Sequence, residues 1–348
     1  MNNGGVMETG TETSFLKQNI NKAVLVVGGA GYIGSHTAKQ LAKNGYTPVV
    51  VDRDIKSKPW ATQYGPSFEI NLPRDIDHLD QIIKRFNIDS CIHFAAYTKV
   101  GESVSDPSKY YLNNVVMTLR LLDKLRSLDV KNFVFSSSAA VYGIPGDGIA
   151  KTQDTPKPIN PYGKSKMIVE EILKDYNVAY GISSVSLRYF NAAGADKDSE
   201  IGELREDETH IVPLAIQAAK HGTEFKLFGT DFDTKDGTCE RDYVHVTDLA
   251  EAHVLALVLA STNKVCEQFN LGSGINTSNM EIIKAVEKHA GPINVVKSDR
   301  RPGDPPCLVA DIGDTEIKLN WKPSNSTIDN IVRTAVKWYN KSHKKELQ

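Results

Sequence analysis

The chain has 348 residues, of which 40% are hydrophobic and 24% charged, and its formal net charge is −2 at pH 7. This length permits two domains, or one large α/β unit with an additional lobe. The small net charge gives no reason to bind nucleic acid or an anionic membrane, and the apolar runs are too short to span a bilayer. We therefore expect a globular protein whose partners include neither nucleic acid nor a membrane.

Residues 1–20 come before the first predicted strand and are rich in Asn, Gly, Thr and Glu. They lack the apolar core of a signal peptide, so we expect a disordered leader or an expression extension. The four cysteines, Cys91, Cys239, Cys266 and Cys307, are scattered and show no metal-ligand spacing. We expect reduced thiols, a cytoplasmic location and no metal site.

A run of mostly β-branched residues leads into a glycine cluster at VLVVGGAGYIG, residues 24–34. Val-rich runs without polar alternation are typical of a parallel strand that is buried on both faces. The glycines that follow fit GxxGxxG at Gly28, Gly31 and Gly34, and GxGxxG from Gly29, and a helical pattern begins directly after them. Such a loop lets the backbone approach a pyrophosphate and directs the positive end of a helix at it. The stretch therefore predicts a dinucleotide site.

The next β-branched run, residues 48–51, ends at Asp52, which lies 18 residues after Gly34. Dinucleotide-binding folds place a carboxylate at this point, where it binds the adenosine ribose hydroxyls. Arg53 follows directly and could attract a 2′-phosphate, but the Asp52 carboxylate would repel that phosphate. The pair therefore favours NAD over NADP.

Strand and helix patterns alternate from the first strand to about residue 190, which is typical of a doubly wound parallel sheet. We expect an α/β fold with a Rossmann-type domain over 21–190 and a smaller mixed α/β substrate lobe over 191–348, with a helix over 247–259 packing back on the first domain. Within the first domain the patterns predict a short strand at 68–70, a helix at 79–86, strands at 90–96 and 132–138, a helix at 110–128, a helix from 162 through 176 and a strand at 184–189.

Tyr162 and Lys166 are four residues apart and therefore lie on one face of their helix. A free tyrosine has a pKa of about 10 and is a poor base at neutral pH. A nearby lysine ammonium and the positive nicotinamide of an oxidised cofactor would favour the phenolate. Ser138, at the end of the preceding strand, can hydrogen-bond the same substrate oxygen. The combination predicts a Ser, Tyr and Lys catalytic site beside the dinucleotide.

These features together resemble the extended short-chain dehydrogenase/reductase superfamily and, within it, the UDP-glucose (UDP-galactose) 4-epimerase family. The resemblance extends from Val24 to Trp338. The stretches that carry it are GGAGYIGSHT (28–37), HFAAYTKVGES (93–103), YYLNNV (110–115), FVFSSSAAVYG (133–143), NPYGKSK (160–166), LRYFNAAGA (187–195), DGTCERDYVHVTDLA (236–250) and RRPGDPP (300–306).

The resemblance implies a role for each matching position, an NAD cofactor and a homodimer. The implied cofactor-binding residues are Gly28, Gly31, Tyr32, Ile33, Gly34, Asp52, Asn71, Leu72, Phe94, Ala95, Ala96, Asn113, Ser136, Tyr162, Lys166 and Tyr189. The implied substrate-binding residues are Ser138 and Tyr162 at the sugar C4 oxygen, Asn191, Arg241, Tyr243, Arg301 and Asp304 at the UDP portion, and Leu308 at the border of the sugar pocket.

The implied reaction interconverts UDP-glucose and UDP-galactose. Tyr162 as phenolate takes the 4-hydroxyl proton while hydride leaves C4 for NAD+, the 4-keto sugar rotates about its link to the diphosphate, and hydride and proton return on the other face. UDP must be held tightly and the sugar loosely for this rotation to occur.

Other activities remain open at this stage. A 4,6-dehydratase is disfavoured because Ala139 and Ala140 stand where that reaction needs an acid beside the serine. A UDP-pentose 4-epimerase would use the same groups, and Leu308 leaves acceptance of N-acetylated hexoses undecided. A nucleotide-sensing regulator on the same scaffold is disfavoured by the retention of Ser138, Tyr162 and Lys166.

Overall fold

The computed structural model describes residues 22–205, 207–301 and 303–344, so the leader predicted at 1–20 lies outside the described residues. Within these ranges the strands are β1 (Ala23–Val27), β2 (Thr47–Asp52), β3 (Ser67–Glu69), β4 (Ser90–His93), β5 (Asn132–Ser138), β6 (Ile149–Ala150), β7 (Ser183–Tyr189), β8 (Asn191–Ala193), β9 (Glu224–Phe228), β10 (Glu240–His245), β11 (Cys266–Leu271), β12 (Asn276–Ser278), β13 (Asn294–Ser298) and β14 (Cys307–Ala310).

The α-helices of the same ranges are α1 (Tyr32–Lys43), α2 (Leu72–Asp75), α3 (Leu79–Phe86), α4 (Val100–Ser105), α5 (Pro107–Tyr110), α6 (Met117–Ser127), α7 (Pro161–Tyr180), α8 (Ile211–His221), α9 (Val246–Thr262), α10 (Asn279–Ala290), α11 (Gly313–Leu319) and α12 (Ile328–Ser342). Short 3-10 turns lie at Pro59–Thr62, Ile76–His78 and Ala139–Val141. In the described part of the chain, none of the helices is long and apolar enough to cross a membrane.

Seven parallel strands form the main sheet in the order β11-β7-β5-β4-β1-β2-β3. The strand order reverses between β1 and β4, and open α/β sheets bind their ligands in the crevice at such a reversal. The predicted α/β fold with a doubly wound parallel sheet is confirmed.

Both faces of the sheet are buried, as the Val-rich β1 predicts. Its alternate residues enter different cores, because successive side chains of a strand point to opposite faces. Leu25 and Val27 pack in one core with residues of α3, α6 and α7. Val24 and Val26 pack in the other core with residues of α1 and α9. The two helix layers therefore hold the carboxyl ends of the strands in fixed relative positions.

The second part of the chain adds smaller sheets around β10. This strand pairs with β12, β14 and β8, and β9 pairs with β13. A third core packs α8, α10 and α12 against these strands. The helix α9 covers the expected 247–259 and lies against α1, β5 and β7 of the main sheet.

The predicted boundary at 190/191 falls within the stretch of chain that supplies the main sheet. The seventh strand of the main sheet, β11, comes from residues 266–271, far beyond that boundary. A division at 190 therefore does not separate the whole sheet from the second part of the chain.

The helix predicted at 110–128 is also not continuous. It begins earlier, with α5 at Pro107, and passes through a π-helical stretch at Tyr111–Val116 before α6. The wider π turns leave the buried Asn114 facing Tyr97. The Asn114 amide accepts from the Tyr97 backbone N at 2.9 Å and donates to its carbonyl at 3.0 Å. This bond fixes the segment that follows β4.

Candidate active site

A cavity of about 600 Å³ opens at the carboxyl ends of β1, β4, β5 and β7, at the reversal of strand order. One wall is the glycine loop, and the opposite wall comes from the second part of the chain. The predicted site residues that line the cavity are Gly28, Gly31, Tyr32, Ile33, Gly34, Phe94, Ala96, Ser136, Ser138, Tyr162, Tyr189, Asn191 and Tyr243. The structure therefore brings thirteen of the predicted positions to one space.

Two glycines of the loop have no room for a side chain. Gly28 has φ +80°, and a Cβ there would lie 2.6 Å from the Ala95 backbone N. A Cβ on Gly34 would lie 2.4 Å from the Gly28 carbonyl oxygen. The loop is therefore a bare backbone cradle, with α1 beginning at Tyr32 beside it and no acidic residue in the first turn. Free backbone N–H groups at a helix N-terminus attract phosphate.

Asp52 ends β2 next to this cradle. Its Oδ2 accepts from the Ala30 backbone N at 3.1 Å, and its Oδ1 accepts from the Asp54 backbone N at 3.0 Å. Arg53 lines the cavity, but its Nη1 donates to the Tyr97 hydroxyl at 3.1 Å and its guanidinium lies over the Tyr97 ring. The arginine that could have received a 2′-phosphate is thus engaged by a neighbouring side chain.

The predicted catalytic residues converge on the floor of the cavity. Tyr162 and Ser138 both line it, and the Ser138 hydroxyl is near enough to lower the pKa of Tyr162. Lys166 is buried below them, with its Nζ donating to the Ser136 carbonyl at 2.7 Å and lying 5.9 Å from the centre of the Tyr162 ring. The helical spacing of four residues therefore places the two side chains as the sequence predicts.

The surroundings of Tyr162 do not by themselves favour the phenolate form that the sequence predicts. Burial raises the pKa of Tyr162 above its ordinary value, although the Ser138 hydrogen bond and the Arg205 charge oppose this rise. Burial lowers the pKa of Lys166 to about 7, and the Glu170 carboxylate opposes that change. The side chains alone therefore keep Tyr162 protonated at neutral pH, and the expected phenolate depends on the positive charge of an oxidised cofactor.

Tyr189 is held from the second part of the chain. Its hydroxyl makes a short hydrogen bond with His253 Nε2 in α9. His253 Nδ1 donates to the Leu249 carbonyl at 2.7 Å, so Nε2 is the acceptor and Tyr189 the donor. On the other wall, the Tyr32 hydroxyl donates to the Gly194 carbonyl at 2.6 Å. These two bonds join the main sheet to the second part of the chain on either side of the cavity.

Three residues predicted to bind UDP, and Leu308, predicted at the border of the sugar pocket, are not among the residues that line the cavity. Arg241 donates to the Pro305 carbonyl at 2.7 Å and lies 3.5 Å from the Asp304 carboxylate. Leu308 is opposite Arg241 in the pairing of β14 with β10, and the Arg301 guanidinium lies 4.0 Å from the centre of the Phe228 ring. Asn191 and Tyr243 are opposite each other in β8 and β10, and both reach the cavity.

The remaining predicted residues do not line the cavity. Leu72 is a core residue, Asn71 precedes α2 at the end of β3, and Asn113 donates to the Asn114 side chain at 3.0 Å. Ala95 lies behind the cradle, where its backbone blocks any side chain on Gly28. Of these positions, Asn71 and Leu72 still lie at the carboxyl edge of the sheet, because β3 pairs with β2.

Several cavity residues were missed by sequence reasoning. The segment that follows β8 contributes Glu203, Arg205 and His210, and Trp60 and Trp338 also line the cavity. This segment has no periodicity, and only its charges in GELREDETH could have drawn attention to it. His210 lines the cavity and directly precedes α8, so the N-terminus of a second helix opens on the same cavity.

The segment is anchored by the C-terminal helix. Trp338 Nε1 donates to the Glu203 carbonyl at 2.8 Å, and a Cβ on Gly202 would lie 2.4 Å from the Trp338 ring. Lys39 of α1 holds the same segment through Asp196 and Glu200, at 2.8 Å from each carboxylate. The wall of the cavity is therefore fixed from two sides.

Residues 24–272 match the sequence profile of the NAD dependent epimerase/dehydratase family. The chain belongs to this family. It is 45% identical over 323 residues to the UDP-glucose 4-epimerase of Rhizobium meliloti (strain 1021), covering 92% of this chain and 98% of the relative.

Solved structures of relatives have the same fold. The UDP-glucose 4-epimerase of Brucella ovis, in complex with NAD, aligns with a TM-score of 0.87 at 45% identity, over 91% of this chain and 98% of that one. The enzyme of Bifidobacterium longum, in complex with NAD+ and UDP, aligns with a TM-score of 0.82 at 38% identity, over 92% and 98%.

The cavity fits the cofactor of the NAD dependent epimerase/dehydratase family on its own geometry. The close backbone packing at Gly28 and Gly34 gives the tight glycine turn that presents bare backbone to a pyrophosphate. Asp52 has a carboxylate at the end of β2, where a ribose hydroxyl can donate to it, and it disfavours a 2′-phosphate. NAD is therefore the cofactor that this site takes.

Proposed function

We propose that this protein is an NAD-dependent 4-epimerase that interconverts UDP-glucose and UDP-galactose. The observation that carries the proposal is the meeting of Ser138 and Tyr162 with the glycine cradle in one cavity, beside Asn191 and Tyr243 of the second part of the chain. An oxidoreductive site and a nucleotide-sugar site thus share one space. This role would place the enzyme in galactose metabolism.

The side chains would divide the chemistry as follows. Bound NAD supplies a reversible acceptor for the hydride of the sugar C4 carbon. The Tyr162 phenolate oxygen would take the proton of the 4-hydroxyl group and later return it, and the Ser138 hydroxyl would donate to the same substrate oxygen. The Lys166 ammonium, 5.9 Å from the Tyr162 ring centre, favours the phenolate form. Ser136 and Tyr189, which also line the cavity, would contact the nicotinamide riboside.

The second part of the chain would hold UDP and leave the sugar free to turn. Arg241 and Arg301 have fixed donor forks suited to a diphosphate, and Asp304 lies beside Arg241 at 3.5 Å. The N-terminus of α8, directly after His210, opens on the same cavity and favours negative charge. Binding energy concentrated on UDP lets the 4-keto sugar rotate without leaving the site.

The same groups could act on related sugars. Leu308 packs against the core that contains Phe190, and Phe190 lines the cavity. A leucine there is intermediate in size, so we propose slower turnover of UDP-N-acetylhexosamines than of the simple hexoses, because one size difference is worth about 1–3 kcal/mol. A UDP-pentose 4-epimerase or a nucleotide-sensing regulator is the competing proposal.

A homodimer would account for one exposed apolar surface. Val100 and Val104 of α4 and Leu112 and Val116 of the π-helical stretch are spaced four residues apart, and each is more than 40% exposed. This surface adjoins α7, which carries Tyr162. A cytoplasmic location would suit the four cysteines, all of which are described and unpaired.

The experiment is direct. The purified protein is incubated with UDP-glucose, UDP-galactose, their N-acetylated forms and UDP-pentoses in separate reactions, and the products are resolved by chromatography. Formation of UDP-galactose from UDP-glucose supports the proposal. Turnover of only an N-acetylated sugar or a pentose would change the substrate assigned to the enzyme. Binding without turnover would support the nucleotide-sensing regulator. Mass spectrometry of the released nucleotide identifies NAD, and recovery of NADP instead would point to Arg53.

A further inference from the structure

A buried ion pair lies one helix turn beyond the Tyr162–Lys166 pair. Glu170 follows Lys166 by four residues in α7 and is 1% exposed. The Arg188 guanidinium of β7 meets its carboxylate with two hydrogen bonds, 2.6 Å from Nη2 to Oε2 and 3.0 Å from Nε to Oε1. A buried ion pair contributes little net stability, because desolvation offsets the attraction. Its place beside the site therefore needs another reason.

The pair is tied to the end of β5 that carries the serines. Three consecutive residues of this strand meet three residues of α7 that are spaced four apart. The Ser136 carbonyl accepts from Lys166 Nζ at 2.7 Å, and the Ser137 hydroxyl donates to Glu170 Oε1 at 2.5 Å. The Ser138 hydroxyl is near enough to Tyr162 to lower its pKa.

The outer end of the pair is held equally firmly. Arg188 Nη1 donates to the Tyr142 hydroxyl at 2.7 Å and to the Thr152 carbonyl at 3.1 Å. The Tyr142 hydroxyl in turn donates to Asn270 Oδ1 of β11 at 2.6 Å. Glu170 is thereby bonded to two adjacent strands of the main sheet, to β5 through Ser137 and to β7 through Arg188.

Glu170 also supplies the charge that Lys166 faces. On α7 the neighbours of Lys166 are Tyr162 and Glu170; from β5 it meets the Ser136 carbonyl and, at 4.9 Å, the Phe135 ring; from β4 it faces His93. Burial lowers the pKa of His93 to about 3 and raises that of Tyr162, so both are uncharged at neutral pH. Among these described neighbours, Glu170 is the one carboxylate, and its charge opposes the lowering of the Lys166 pKa by burial.

We propose that Glu170 and Arg188 are positioning residues for the epimerisation, which hold Lys166 charged and keep the β5 serines in register with Tyr162. The inference rests on the proposed function, because it assigns a role in that reaction. It predicts that the pair controls turnover and its pH dependence without contacting either ligand.

The test compares wild type with Glu170→Gln and Glu170→Asp. We expect kcat of Glu170→Gln to fall by about 10- to 100-fold, because small displacements of reacting groups are costly, while the affinity for UDP in calorimetry stays unchanged. The alkaline limb of the kcat profile should move to lower pH by about one unit, since Lys166 loses its proton earlier without the carboxylate. Glu170→Asp keeps the charge and should restore the limb.

A second readout needs no turnover. The protein labelled with ¹³C at the lysine ε carbons reports the titration of Lys166 by NMR, assigned from the Lys166→Arg spectrum. We expect this titration to move to lower pH in Glu170→Gln. If the wild-type protein shows no turnover, the proposed function is wrong. The NMR titration of Lys166 would still decide whether Glu170 keeps this lysine charged.

The matched control is Asp248→Asn. Asp248 is an equally buried carboxylate in α9, bonded to Ser326 and Asn325 and without a bond to Lys166. The Asp248→Asn substitution should lower thermal stability and leave the alkaline limb of the kcat profile at its wild-type pH.

If Glu170→Gln does not fold, two other variants replace it. Ser137→Ala removes one hydrogen bond to the Glu170 carboxylate, and Arg188→Lys keeps the positive charge. Both should lower kcat, and Ser137→Ala should move the limb in the same direction by a smaller amount. Variants that lose stability but keep wild-type kcat, limb and lysine titration would overturn the inference.

Discussion

The contact between Gly34 and Gly28 makes cofactor binding sensitive to one methyl group. A Cβ on Gly34 would lie 2.4 Å from the Gly28 carbonyl oxygen and 2.9 Å from the Gly29 Cα. Real Cβ atoms do not come closer than 3.0 Å, so Gly34→Ala must push α1 away from the loop by about 0.6 Å. The atoms it would meet are all backbone atoms of Gly28 and Gly29, so no flexible side chain can move aside.

The size of the effect follows from that strain. Overpacking of this kind costs about 1–3 kcal/mol. If the free protein relaxes by opening the loop, the strain returns when the pyrophosphate requires the closed cradle. The affinity for NAD should then fall by about 5- to 150-fold, since about 1.4 kcal/mol corresponds to a tenfold change.

The assay is calorimetric titration of NAD into protein stripped of nucleotide, with thermal unfolding measured in parallel. The control is Gly146→Ala, where a Cβ would meet nothing within 4 Å, in an exposed loop before β6. This variant should change stability by no more than about 0.5 kcal/mol and leave NAD affinity unaltered. Wild-type NAD affinity and an unchanged unfolding midpoint in Gly34→Ala would refute the reasoning from the cradle.

Three further predictions follow from the site and its supports. Tyr162→Phe should lower turnover by about 10²- to 10⁴-fold in the epimerase assay, with UDP and NAD affinities in calorimetry nearly unchanged; an equal loss of UDP affinity would show a structural role instead. Gly202→Ala should raise KM for the UDP-sugar, because its Cβ would lie 2.4 Å from the Trp338 ring and displace the wall segment, and an unaltered KM would contradict that role of the wall. Acid should destabilise the fold, because burial lowers the pKa of four histidines: to about 4 for His36 and His253, and to about 3 for His93 and His245. Each stays neutral when folded but takes a proton in the unfolded chain below about pH 6.5, so the free energy of unfolding should fall by about 2 kcal/mol per histidine between pH 7 and 5. Denaturant titrations at several pH values test this, and a flat profile over that window would be contrary to it.

The sequence was most informative where function depends on local spacing. The glycine loop after β1, the carboxylate ending β2 and the four-residue interval of Tyr162 and Lys166 are all set by neighbours along the chain. Each was located correctly because a strand end or one helix face fixes where the side chain lies. The parallel sheet followed from the same alternation.

Contacts between residues that tertiary packing brings together could not be predicted from the sequence. Trp60 and Trp338 are far apart in sequence, and their rings lie 6.5 Å apart at the rim of the cavity. Arg205 lies in a segment without periodicity, which takes its shape from anchors at Lys39 and Trp338. The π-helical stretch at 111–116 depends on the buried amide of Asn114, and apolar spacing carries no signal for such a bond.

The late arrival of β11 constrains how the protein can form during synthesis. The residues up to 190 supply six strands of the main sheet, but β7 remains an uncovered edge until residues 266–271 have been made. An uncovered edge strand is a template for pairing with other chains. Tyr189 likewise has no hydrogen-bond partner in α9 until His253 has emerged. The nucleotide-binding half should therefore mature only after more than two thirds of the chain has left the ribosome, and a fragment ending at 190 should aggregate.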